Sequence, residues 1–437
     1  MPRNCNHKSS QLRGESHKLF PFLKILFSTF GSLGDIHPYL ALSLEAKKRG
    51  HSPIIATSER YRAKIEAQNV EFRAISPDIP PEEEFAPLAR RVMNERDGPR
   101  FLFENILAPA IDAQYADMLR ACEDANVVVT HPAVMTGPLV ARKLGKKWMS
   151  SVLSPISLWS RRDPAVVPTL PQLDFLRVFG TLWGTVQVLT GRIATKRWVA
   201  PIQQLAAREG IATSGHPMFG GQYSPHGTLA LFSRHFCAPQ PDWPFNTTAT
   251  GFCFYDAVGW NRNDEGIDWR AWMEEGPAPF VFGLGSAAVH DGDFVWDAAV
   301  RAAKRDNARV VLLTAGNFET NEKNILCVPY APYSEIFPLA GRIFHQGGVG
   351  TTAQALRSGV PQTVIPFAHD QSDNAGRVKR LGIGSWLSRN KVDSLSLKLD
   401  AALEAGQKER AREIGERIRA ENGALAACEA LERCWGN

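Results

Sequence analysis

The chain has 437 residues, of which 44% are hydrophobic and 22% charged, with a formal net charge of +5. These figures describe a globular protein long enough for two α/β domains and exclude disorder at scale. The excess positive charge comes with no basic-aromatic stripe and no recognised nucleic-acid module, and both signs are interspersed through most of the chain, so no nucleic-acid partner is expected.

Seven cysteines are scattered without a CxxC pair, which fits a reducing cytoplasm and no structural zinc or other metal site. Residues 1–21 are polar and basic without periodicity and read as a flexible tail. A signal peptide is disfavoured because Lys24 interrupts the apolar run and no small-residue cleavage site follows. No apolar run reaches the ~18 residues of a membrane-spanning helix.

Residues 23–30 form an apolar first strand, followed by Gly31-Ser32-Leu33-Gly34-Asp35-Ile36-His37-Pro38, a turn into a helix expected to begin at Pro38. The GSLGD turn departs from the GxGxxG dinucleotide pattern. On position alone, Asp35 reads as a cap of that helix. Strands at 52–58 and 70–75 continue the βα alternation, and 76–125 becomes a helical insert. Strands return at 126–130 and 148–153, with His131 at the end of the first. The stretch 155–210 is aromatic, with Trp159 and Trp183, and carries Arg177, Arg192, Lys196 and Arg197. It reads either as a lipophilic pocket with a membrane-surface face or as the core of a helical insert. Residues 228–233 are expected to be the last strand of a first domain spanning 22–250, and 251–277 a linker rich in turn residues.

The second domain, 278–420, opens with a strand at 279–285 that delivers Gly283, Gly285 and Ser286 into a turn. Strands at 309–315 and 324–329 follow, then Tyr330-Ala331-Pro332-Tyr333. From Arg342 the chain reads strand, glycine turn (Gly347, Gly348, Val349, Gly350) and helix (Thr351, Thr352 onward). Such a turn leaves free N–H groups at a helix start and favours an anion, most often a phosphate. A further strand, 362–367, ends in Ala368, His369, Asp370 and Gln371. In an open parallel sheet these strand ends face the ligand crevice. Residues 421–437 form a last amphipathic helix.

The segment HQGGVGTT, followed by GVPQ and HDQSDNA, resembles the donor-binding signature of the family 1 glycosyltransferases of the GT-B fold. Within that family the chain is similar to the rhamnosyltransferases of rhamnolipid synthesis and to sterol and antibiotic glucosyltransferases, from about Leu23 onward. The resemblance implies an α/β GT-B architecture, two doubly wound Rossmann-like domains facing a cleft, with the last helix returning to the first domain through Leu425, Leu431 and Trp435. It also implies an inverting, metal-independent hexosyltransferase. The donor would be a UDP- or dTDP-sugar, the acceptor a hydroxyl of a lipophilic small molecule or lipid, and no cofactor would be needed. Asp35 would be the base, with His131 its orienting partner, and Gly34, His37, Trp159 and Trp183 would stand on the acceptor side. The donor would be held by Ser286, Tyr330, Gln346, Gly348, Val349, Gly350, Thr351, Gln354, Asp370 and Gln371.

Three positions depart from the family pattern: Tyr330 where Trp is common, Gln346 in place of the second histidine, and Gln354 where Glu often binds the ribose. Gln346 donates a neutral amide N–H and never a charge, so phosphate binding would lean on the backbone N–H groups of 348–352. A sugar-nucleotide epimerase and a non-catalytic or partner-dependent nucleotide-sugar-binding chain remain open, as do a partner subunit and peripheral contact with the inner membrane face.

Overall fold

The computed structural model describes residues 22–213, 215–256, 268–316, 318–399 and 405–435. The expected tail at 1–21 and residues 257–267 of the expected linker lie outside the described residues. Seven parallel strands form the first sheet: β1 (Lys24–Ser28), β2 (Ser52–Thr57), β3 (Glu71–Ala74), β4 (Val127–Thr130), β5 (Lys147–Val152), β6 (Thr228–Ala230) and β7 (Thr247–Ala249), in the order β3-β2-β1-β4-β5-β6-β7. Central strands such as VVVT of β4 are buried on both faces, because helices cover both sides of a parallel sheet, and so read as continuous apolar runs. The sheet does not end at the strand beginning with Thr228 as the sequence suggested. Three more residues, Thr247–Ala249, pair with it in register, too short and polar to announce a strand.

Helix α1 (Leu33–Lys48) begins five residues before Pro38. Ser32 takes the N-cap position, and the Asp35 carboxylate three residues on accepts the Ser32 N–H at 2.7 Å. This capping box offsets the cost of Pro38 inside the helix, whose missing N–H leaves the Gly34 carbonyl without its usual donor. The 76–125 insert supplies α2 (Glu82–Val92), and the aromatic stretch supplies α3 (Thr181–Ala194).

The second sheet is also parallel: β8 (Phe280–Gly283), β9 (Val310–Leu313), β10 (Ile325–Val328), β11 (Arg342–His345), β12 (Gln362–Val364) and β13 (Gly384–Trp386), ordered β10-β9-β8-β11-β12-β13. The strand order reverses direction at β8 and β11, the switch point where a ligand crevice opens. Helix α4 (Val349–Ser358) follows β11 and α5 (Gln371–Arg380) follows β12. The short β13 is a strand that the sequence pattern did not announce.

Two further helices close the chain. Helix α6 (Ala405–Arg419) packs on α4, and α7 (Gly423–Trp435) crosses to the first domain. There Ala427, Cys428 and Leu431 join the buried cluster around Phe27 and Tyr39, with Trp435 packed against it. Ala424 takes part where Leu425 was expected. Arg49 reaches both oxygens of Glu432 at 2.7 and 2.6 Å, and the His51 ring lies 3.1 Å from it. Burial alone would raise Glu432, but these bonds outweigh it and hold the carboxyl below its ordinary value. A second seam joins the domains beside the cleft, where Arg377 bridges Asp163 of the first domain (2.6 Å) and Asp373 of its own helix (2.8 Å). Among the described residues no helix is long and apolar enough to cross a membrane.

Candidate active site

The carboxyl ends of β1 and β4 face those of β8, β11 and β12 across the cleft. Gly31 has a φ of +144°, and a Cβ there would stand 2.2 Å from Asp35 Oδ2, so this glycine lets the first turn of α1 fold back on itself. Ser32 occupies Asp35 Oδ2 with its N–H at 2.7 Å and its hydroxyl at 3.2 Å. The other oxygen, Oδ1, faces His131 Nε2 at 4.0 Å. His131 Nδ1 accepts the Ala133 N–H, which leaves the ring proton on Nε2, directed at that oxygen. Burial pushes His131 down to about 4, so the ring is neutral. Asp35 is raised to about 7, first by burial and then by the neighbouring Asp370 carboxyl, against the lowering effect of the Ser32 bonds.

On the opposite wall, α4 starts at Val349 without a side-chain cap. The Thr352 N–H is spent on the Gly348 carbonyl, so the donors without a partner among the described residues are the N–H groups of Gly348, Val349, Gly350 and Thr351, one fewer than the expected 348–352. Two backbones come close here, with a Cβ on Gly350 falling 3.5 Å from Gly34 Cα. Gln346 Nε2 donates to Thr351 Oγ1 at 3.2 Å, while its buried Oε1 has no partner among the described residues. Gly285 has a φ of +69°, and its Cβ would stand 2.3 Å from Gln346 Nε2. His345 is fully buried and structural: Nδ1 accepts the Gly347 N–H (3.1 Å) and the other ring nitrogen meets Gln362 Oε1 (2.8 Å).

Asp370 occupies the N-cap position of α5, yet its side chain makes no capping bond. It accepts instead from Asn374 Nδ2 at 2.8 Å and is raised to about 6, mainly by burial. Gln371 folds its Oε1 onto the N–H groups of Phe367 (2.7 Å) and Ala368 (3.1 Å). Its amide nitrogen lines the cleft, and among the described residues its one partner is the Met93 sulfur at 3.8 Å. His369, at φ +58°, donates to the Val92 carbonyl of α2 at 3.0 Å and ties the donor-side turn to the first domain.

A cavity of about 750 Å³ gathers Asp35, His131, Trp159 and Trp183 with Gln346, Asp370 and Gln371, and most of its remaining wall is apolar. A neighbouring cavity of about 570 Å³ holds Tyr330 and Gln354. The two share a wall made of Gly34, Ser286, Val349, Gly350 and Thr351. His37 lines the second cavity and not the first. Its ring packs 5.3 Å from Tyr255 and burial pushes it down to about 4.

Sequence reasoning missed Asp256. Its carboxylate receives Gln354 Nε2 at 3.1 Å and Arg357 Nη1 at 3.0 and 2.9 Å, and it lines the cavity that holds Tyr330. An acid therefore stands beside Gln354, contributed from 98 residues away; no local pattern marks it. Tyr333 was also missed as a support, its hydroxyl accepting the Gly285 N–H at 3.2 Å.

Residues 25–126 match the glycosyltransferase family 28 N-terminal domain, and 301–430 match the erythromycin biosynthesis protein CIII-like C-terminal domain. The O-mycaminosyltylonolide 6-deoxyallosyltransferase of Streptomyces fradiae is 30% identical, over 94% of this chain and 97% of that protein. A sterol 3-beta-glucosyltransferase of Arabidopsis thaliana is 25% identical over 96% of this chain and 69% of its own. The solved structure of the glycosyltransferase VinC in complex with dTDP superposes with a TM-score of 0.62 at 18% identity, covering 94% of this chain and 99% of the other. With both halves matched, the fold shared and a full-length relative at this identity, the chain belongs to the family 1 glycosyltransferases of the GT-B fold and is a nucleotide-sugar-dependent hexosyltransferase.

Proposed function

We propose that the protein moves a hexosyl group from a UDP- or dTDP-sugar to a hydroxyl of a lipophilic small molecule or lipid, with inversion and without a metal ion, in the cytoplasm and in peripheral contact with a membrane. The observation that carries this proposal is the opposition, across one cavity, of the free Asp35 Oδ1 and the unbonded N–H groups at the start of α4.

The acceptor hydroxyl gives its proton to Asp35 Oδ1 as its oxygen bonds to the anomeric carbon. The bond from that carbon to the diphosphate oxygen breaks, and a nucleoside diphosphate leaves. Its growing charge falls on the N–H groups of Val349, Gly350 and Thr351, with the Thr351 hydroxyl and the α4 dipole. Ser286 stands on the same shared wall. His131 is a positioning residue that holds Oδ1 toward the acceptor. Asp370 accepts from, and Gln371 Nε2 donates to, hydroxyls of the sugar. Tyr330 offers its ring to the base, while Gln354 and Asp256 face the ribose. The donor lies along the shared wall, and the acceptor fills the larger apolar cavity beside Trp159 and Trp183. An apolar acceptor is in keeping with relatives named for O-mycaminosyltylonolide and for sterols. No cofactor enters this scheme.

The test is a thermal-shift panel of UDP-glucose, UDP-glucuronate, dTDP-glucose, dTDP-rhamnose, UDP and dTDP with and without EDTA, followed by NMR of the glycosylated product. One diphospho-sugar is expected to raise Tm by mass action regardless of EDTA, and the product to carry the opposite anomeric configuration to the donor. Retained configuration, or loss of turnover in EDTA, would overturn the mechanism.

A further inference from the structure

Large apolar side chains are exposed all along one 24-residue stretch, from Leu170 to Ile193. On α3, Leu182, Val186, Leu189 and Ile193 recur at i, i+4, i+7 and i+11, which places them in one stripe, and that stripe faces solvent. Phe175, Val178 and Phe179 extend it, with Val178 82% and Ile193 76% exposed. The neighbouring stripe of the same helix, Trp183, Gln187 and Thr190, lines the acceptor cavity. An ordinary surface helix turns its polar side outward; this one is a thin wall between an apolar cavity and an apolar outer face. A continuous exposed patch of this kind marks an interaction surface.

Charge identifies the occupant. Between Arg161 and Arg197 the sequence has six cations and only two acids, which concentrates there most of the chain's +5. Asp163 is taken up by Arg377 and Arg177. The side chains of Arg161, Arg162, Arg192, Lys196 and Arg197 are exposed and make no ion pair among the described residues. Apolar residues flanked by unpaired cations complement the interface of a bilayer that bears anionic headgroups.

We infer that the 170–193 face seats on an anionic lipid bilayer, with the stripe of α3 in the headgroup boundary and the acceptor cavity opening beside it, so that an apolar acceptor reaches Asp35 from the membrane. The direction of delivery rests on the proposed apolar acceptor; the binding itself does not.

Vesicle flotation of the full chain tests it, with phosphatidylcholine alone and phosphatidylcholine mixed with phosphatidylglycerol. Wild type is expected to float with the mixed vesicles and to release in high salt. Val178→Asp with Ile193→Asp abolishes flotation, and Arg192→Glu with Lys196→Glu and Arg197→Glu lowers it at least about tenfold, given roughly one kcal/mol per cation near such a surface. None of these residues lines the cavity, so turnover of a short soluble acceptor stays at the wild-type level in both variants. Absence of flotation with either vesicle, or equal flotation with both, overturns the inference. So does a wild-type dimer in sedimentation velocity that the aspartate pair converts to monomer without lipid binding, because the face would then belong to a second copy. Loss of transfer to every soluble acceptor with flotation intact would strike the proposed reaction and leave the surface standing.

Discussion

The two walls of the cleft are built from different materials. The donor wall is backbone: glycines 285, 347 and 348, the open start of α4, and a few short polar side chains held by one another. The acceptor wall is side chain: large aromatic and aliphatic groups delivered by the segments between β3 and β4 and between β5 and β6, with one carboxyl and one neutral ring at its floor. Backbone recognition tolerates almost no added volume, because the atoms that bind are the atoms that fold. A wall of side chains can be retailored one residue at a time. Specificity for the acceptor is therefore expected to be softer than specificity for the diphosphate.

The largest effect should come from the floor that serves both walls. Asp35→Asn keeps an oxygen for the Ser32 N–H but cannot take a proton, so kcat should fall roughly 10²- to 10⁴-fold while Tm measured at acid pH, where the wild-type carboxyl is also neutral, stays near wild type. If Asp35 only capped α1, an effect of about 1 kcal/mol on stability with intact turnover would be seen instead. The raised carboxyl also sets the pH profile. With Asp35 at about 7, the rate should climb as pH rises through neutrality, and a limb near 4 would remove it as the base. The stability effect has the opposite sign. A group whose folded value lies above its unfolded one binds a proton on folding, so its contribution is present at acid pH and is lost as pH rises from about 4 through 7. Urea titrations of wild type and Asp35→Asn across that window should diverge accordingly.

A smaller effect is expected on the donor wall. Gly285→Ala meets Gln346 Nε2 at 2.3 Å and holds a side chain at positive φ, so Gln346 must swing toward the space assigned to the diphosphate. Overpacking and strain of about 1–3 kcal/mol should raise the donor KM about tenfold or more and leave the acceptor KM unchanged. The smallest lies opposite. Trp183→Ala removes one ring of many from a cavity of about 750 Å³, and the acceptor KM should rise several-fold, with donor binding measured by calorimetry unaffected. Equal responses to the two substitutions would erase the contrast between the walls.

The donor wall was also the more legible. Its turns carry glycine where a left-handed φ or a close approach leaves no alternative, so 347–350 and 285 stand out in one dimension. The start of α1 was misplaced because Pro38 is a strong marker and the Ser32–Asp35 box a weaker one. β7 and β13 escaped because three-residue strands have too little periodicity to read. From the residues alone His131 reads as a strand-end residue, and only the resemblance paired it with Asp35; its distance from Asp35 follows from the adjacency of β1 and β4, which lie about 100 residues apart in the chain.

By itself, the sequence determined the βα alternation, the two sheets and the glycine turn at the phosphate-binding helix, because strand period, glycine placement and helix entry are local physics. Only the tertiary structure decided which acids meet which partners: Asp256 with Gln354 and Arg357, Asp163 with Arg377, Glu432 with Arg49 and His51. The same holds for the two faces of α3. The spacing of Leu182, Val186, Leu189 and Ile193 shows an apolar stripe beside the more polar stripe of Trp183, Gln187 and Thr190, but a sequence does not say which one the rest of the molecule covers. Burial belongs to the packed chain, and here packing put one stripe around the cavity and left the other in solvent.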